Sequence, residues 1–76
     1  MTYTLKQIER AHQRVHALAE KPAQDKTTAD ANAQRINVMD HIMATMIVYQ
    51  KRTMDRDELE PNVVILIDFL LRNPAA

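Results

Sequence analysis

The stretch Ile36 to Tyr49, INVMDHIMATMIVY, carries more apolar surface than a helix with a single neighbour can bury. At about 100° per residue, Val38, Tyr49, Ile42, Met46, Met39, Met43, Ile36 and Ile47 fill a continuous arc of roughly 180°. Gln34, Asn37, Asp40, His41 and Thr45 gather on the other side. One amphipathic contact needs a stripe of roughly 100°. This helix must therefore meet partners on two sides. Met39, Met43 and Met46 give the arc a deformable surface that suits gap-filling or adaptable binding.

A second stretch makes the same demand. In NVVILIDFLLRN, residues 62–73, only Asp68, Arg72 and the end asparagines are polar. Pro61 is suited to the first position of a helix, and Asn73-Pro74 would stop it. The β-branched run Val63 to Ile67 also fits a buried strand. With no other stretch that reads as its pairing partner, a helix over about 61–72 is the better reading. A helix apolar on almost every side needs cover on almost every side.

The first helix, about 4–20, is marked by local signals. Thr4 and Gln7 have capping-box spacing, and Tyr3 and Ile8 occupy the positions of a hydrophobic staple. Leu5, Ile8, Ala11, His12, Val15, Leu18 and Ala19 share one face. Lys6, Arg10, Arg14 and Lys21 form a basic stripe on the other. Residues 21–27, KPAQDKT, read as the linker, because Pro22 disfavours helix at Lys21. A second helix then starts near Thr27 or Thr28, with Asp30 completing an approximate capping box. It can run over about 28–53, roughly 39 Å at the α-helical rise. Asp55, Asp57, Glu58 and Glu60 read as a solvated acidic cap before the last helix.

Composition narrows the function. With 76 residues the chain makes one domain, 1–76, and such a domain buries only about 60% of its unfolded surface. Disulfides, metals or association compensate in chains this small. There is no cysteine, which removes disulfides and thiolate sites. There is no glycine, hence no glycine-rich phosphate loop, and no serine to act as a nucleophile. The formal net charge is zero, so nothing draws the whole molecule to nucleic acid or a membrane surface. No run approaches the ~20 apolar residues of a membrane span. No secretory signal pattern opens the chain, and a cytoplasmic location is expected.

His12 and His16 stand four apart, so both rings can face one spot. That spacing suits zinc if a third ligand joins them, and Glu9, Glu20 or His41 are the candidates. Without one they are ordinary histidines at the edge of the apolar face. Asp40 and His41 point about 100° apart on their helix and make no orienting pair. No metal, cofactor or enzymatic activity is expected.

These readings converge on an all-α protein. A helical hairpin of about 4–20 and 28–53 is joined by a short apolar helix folding back on the second helix. The surplus apolar faces predict a dimeric bundle, with Met39, Met43, Ile67, Phe69 and Leu70 at a two-fold contact. The expected function is a small non-enzymatic protein-binding module, a regulatory adaptor or inhibitor that occupies a surface of a larger protein. Such a role suits a phage or bacterial accessory protein. Tyr49, Met46 and Ile42 are the expected anchors. Arg10 and Arg14 would steer an acidic partner surface. The alternatives are a DNA-binding regulator using the basic faces of a dimer, and a structural self-assembly protein.

Overall fold

The computed structural model describes residues 2–20 and 25–72. Three helices and a two-stranded antiparallel sheet follow in the order β1 (Thr2–Thr4), α1 (Leu5–Glu20), α2 (Lys26–Val48), β2 (Thr53–Asp55), a 3-10 turn (Arg56–Glu58) and α3 (Pro61–Arg72). The chain is mostly helical, as its periodicity indicates. Among the described residues no helix is long and apolar enough to cross a membrane.

Helix α1 begins as its sequence dictates. The Thr4 backbone N–H donates to Gln7 Oε1 at 2.9 Å, and the Gln7 N–H donates to Thr4 Oγ1 at 3.2 Å. Two donors that a helix start leaves unpaired are thereby satisfied. Tyr3 and Ile8, the staple positions, are both in the core. Ile8, Ala11 and Val15 form the buried stripe of α1, and Met39, Ile42 and Met46 form that of α2. Both stripes follow the i, i+3, i+7 rhythm of one helical face. Ile67 and Leu70 of α3 complete the core with Tyr3 and Met54 from the strands. Fully burying each of these large side chains contributes about 1.5–3 kcal/mol before entropy is counted.

The structure corrects the expected outline in three places. The chain is not purely helical: Tyr3 pairs with Met54, Thr2 with Asp55 and Thr4 with Thr53. The Leu5 N–H, donating to the Arg52 carbonyl at 2.8 Å, continues this ladder into α1. Tyr3 and Met54 point inward while Thr2, Thr4 and Thr53 face solvent. A strand of three residues buries one side chain, too little for a period-2 pattern to register.

Helix α2 is the second correction, since it runs Lys26–Val48 rather than 28–53. Asp25 caps its start, its side chain accepting from the Thr28 N–H at 2.7 Å. That hydrogen bond holds the Asp25 carboxyl below its usual range. Lys26 and Thr27 of the expected linker are thus helical, while its residues 21–24 lie outside the described residues. At the other end the Gln50 N–H donates to the Ile47 carbonyl and the Lys51 N–H to the Met46 carbonyl. This is the paired closure of a Schellman motif, whose left-handed position normally goes to glycine. Here Gln50 takes it, at φ 53°.

The third correction concerns α3, whose backbone lies closest to α1 rather than to α2. Arg14 of α1 accounts for much of this. Its Nη1 donates to the carbonyls of Leu70 and Leu71 at 2.6 and 2.8 Å. These are carbonyls at the end of α3 that the helix cannot satisfy internally, and a cation there also complements the helix dipole. At its start, the Glu60 carbonyl accepts from the Val63 and Val64 N–H groups. Pro61 fills the first helical position, where no N–H is required.

Candidate functional site

The ten residues singled out for binding separate into a buried and an accessible set. Met39, Ile42, Met46, Ile67 and Leu70 are all in the monomer's own core, none more than 5% exposed. In this fold they hold the helices together and cannot present a surface to a second chain. The wide arc on α2 led to the other expectation, but α1, α3 and the strand residues cover its central strip. Met43 is half-buried against that core. Arg14 is withdrawn from the basic stripe by its bonds to α3. Arg10 is exposed, and Lys21 lies outside the described residues.

The accessible apolar residues form two groups. Ile47, Val48 and Tyr49 end α2 with 63%, 72% and 70% of their surface exposed. The Schellman turn at Gln50 fixes where the helix stops, and these three consecutive side chains fan out around its end, about 100° apart. Lys51 and Arg52 follow directly; Lys51 lies 3.7 Å from Glu58, and Arg52 is exposed. Tyr49 and Arg52 are of the residue types on which binding energy concentrates.

The second group lies on the outer face of α3, where Ile65 is 64% and Phe69 47% exposed. It opens onto a groove between α2 and α3 lined by Arg35, Val38, Asn62, Val63, Leu66 and Arg72. The groove exists because α3 leans toward α1 and leaves its flank facing α2 incompletely covered. Of the expected self-association residues, Phe69 is therefore the exposed one.

Polar side chains converge at two further places. Tyr3 donates its hydroxyl to Asp68 Oδ1 at 2.6 Å, while Arg56 Nη2 donates to Asp68 Oδ2 at 2.8 Å. The Arg56 guanidinium also lies over the Tyr3 ring, 5.2 Å from its centre. Burial, and then the bond to Asp68, push the Tyr3 hydroxyl up to about 12. This network ties β1 and the 3-10 turn to α3, and its groups are internally matched.

The other convergence joins α1 to α2. His12 Nε2 lies 2.6 Å and His16 Nε2 3.2 Å from the same oxygen, Asp40 Oδ1. The two rings are 4.6 Å apart at their centres and tilted by 58°. Hydrogen bonds from His16 and His12 hold the Asp40 carboxyl below its usual range. Sequence spacing identified the histidine pair but not Asp40, which comes from the facing helix. The pairing of α1 with α2 brings it there, and no local pattern encodes that register.

Comparison of the chain with protein-family models, curated proteins and solved structures finds no match. Function must then be read from the site chemistry itself.

Proposed function

We propose that this chain is a small non-enzymatic protein-binding module, an adaptor or inhibitor that works by occupying a surface of a larger protein. The observation that carries the reading is the exposure of Ile47, Val48 and Tyr49 around the end of α2. Large apolar surface left in water at one end of a helix marks interaction sites more often than singly scattered residues do. Tyr49 is the anchor, an amphipathic ring that buries a large area at low entropic cost. The exposed Arg52 and Arg10 favour a partner with acidic residues around an apolar centre.

A separate apolar face on α3, centred on Phe69 with Ile65, supports self-association into a homodimer. Withdrawal of Arg14 from the basic stripe weakens the alternative of a DNA-binding regulator, because phosphate affinity follows the number of free cationic contacts.

The test uses the intact chain as bait in extract of its native cell, beside Tyr49→Asp and Phe69→Asp variants. Light scattering on each variant reports its association state. A stoichiometric partner retained by wild type and by Phe69→Asp, but lost with Tyr49→Asp, supports the reading. A partner that survives Tyr49→Asp, or no stoichiometric partner at all, overturns it. A mass that rises with concentration in wild type and falls to the monomer in Phe69→Asp supports the dimer face. A concentration-independent monomer in wild type overturns that face.

A further inference from the structure

We propose that His12, His16 and Asp40 form a binding site for a zinc-class divalent cation that clamps α1 to α2. Two imidazoles from one helix and a carboxylate from the next converge so that their three ligand atoms lie within 4.8 Å of one another. In a tetrahedral zinc site, nitrogen and oxygen ligands sit about 2.0–2.1 Å from the metal, which places them roughly 3.3 Å apart. Of the two distances to Asp40 Oδ1, 3.2 Å from His16 is close to that separation and 2.6 Å from His12 is shorter, as a direct hydrogen bond requires. Small side-chain rotations would open the cluster around an ion with no movement of either helix.

The convergence is what separates this cluster from a chance histidine–carboxylate contact. Both Nε2 atoms address one carboxylate oxygen. A divalent cation replaces the protons they share there and interacts with all three groups at once. The ligands stand on regular helices, which hold a site more rigidly than loops do. None of the three is buried, so an ion can reach them and water can complete the coordination. Arg14, between the histidines in sequence, sends its guanidinium to the end of α3 instead. Its charge is thereby committed elsewhere.

The donor set defines the ligand class. Neutral imidazoles with one carboxylate suit zinc and its borderline neighbours nickel, copper and iron(II). Magnesium and calcium require mainly oxygen ligands. A clamp between α1 and α2 also answers the need of a small, cysteine-free chain for a cross-link.

The experiment is calorimetric titration of chelator-treated protein with zinc chloride and with magnesium chloride near neutral pH, paired with thermal melts. Cobalt(II) serves as a spectroscopic probe of coordination. His16→Gln and Asp40→Asn are measured beside wild type, and their metal-free melts establish that each is folded. The expected result is saturable binding of one zinc per chain, a higher Tm with zinc and none with magnesium. Cobalt should develop the intense visible bands of a four-coordinate site. Each variant should lose at least about tenfold in zinc affinity. Zinc that neither binds nor raises the Tm of wild type overturns the site, as does equal zinc affinity in wild type and both variants. If the variants prove unfolded, histidine-ring resonances of wild type decide. Zinc-induced shifts confined to His12 and His16 uphold the site, and shifts at His41 alone overturn it.

Discussion

On α3, Ile67 and Leu70 are sealed in the core, while Ile65 and Phe69, one or two positions away, are exposed. All four are comparably apolar, and on a wheel they belong to one nearly continuous surface. What separates them is the lean of α3 toward α1, fixed by Arg14 at its end and by the Tyr3–Asp68–Arg56 network along its length. Hydrophobicity brings the helix into the bundle, and polar anchors decide which of its faces stays outside.

The largest expected effect comes from truncating the two faces in parallel. Ile67→Ala should cost about 2–5 kcal/mol, because a fully enclosed side chain leaves a cavity behind. Ile65→Ala should change monomer stability by no more than about 0.5 kcal/mol, as surface substitutions do. Urea unfolding of both variants at low protein concentration measures the contrast. Similar losses at the two positions would mean that the outer face is covered in solution, and the asymmetry within the monomer would fail.

The polar anchors can be probed through pH. The Tyr3 hydroxyl is pushed from 10.0 up to about 12 in the folded chain. The fold therefore favours its neutral form. That contribution is fully present below pH 10.0 and is lost as pH rises through about 12. Wild type should lose stability across this window beyond what its other groups cause, and Tyr3→Phe should lack that extra loss. The difference between the two denaturation curves isolates the tyrosine from every other group. Parallel curves would show that the bond to Asp68 does not anchor the sealed face.

How much of this was legible beforehand depends on the range of each interaction. The start of α1 was readable because Thr4 and Gln7 cap it within one turn. The span of α3 was readable because Pro61 and Asn73-Pro74 bound a stretch that, after Asn62, only Asp68 and Arg72 interrupt. The end of α2 was not, since a chain without glycine gives no stop signal there, and TMIVYQKR reads as continuing helix. The strand pair escaped because β1 and β2 are short and distant in sequence, and each buries a single residue. The histidine pair was visible as spacing, but Asp40 joined it only through the register of two helices. The expected binding residues divide into buried and accessible ones for the same reason. A wheel shows how wide an apolar arc is, and only packing shows which part of it a neighbour covers.

The smallest expected effect is at the open end, where Gln50 holds a left-handed conformation with φ 53°. A side chain at such a position crowds its own backbone, and glycine avoids this. Gln50→Gly should therefore raise stability by up to about 1 kcal/mol, offset in part by the extra freedom glycine gives the unfolded chain. Gln50→Ala keeps the crowding and should change little. The turn keeps its two closing hydrogen bonds in both variants, so Tyr49 should stay where it is. A gain in Tm confined to the glycine variant would show that the chain tolerates strain next to its most exposed aromatic residue. Strain of this kind gathers where a surface must be held in one shape. Equal stability of the glycine and alanine variants would remove that link. The case for Ile47, Val48 and Tyr49 would then rest on exposure alone, as that for Ile65 and Phe69 already does.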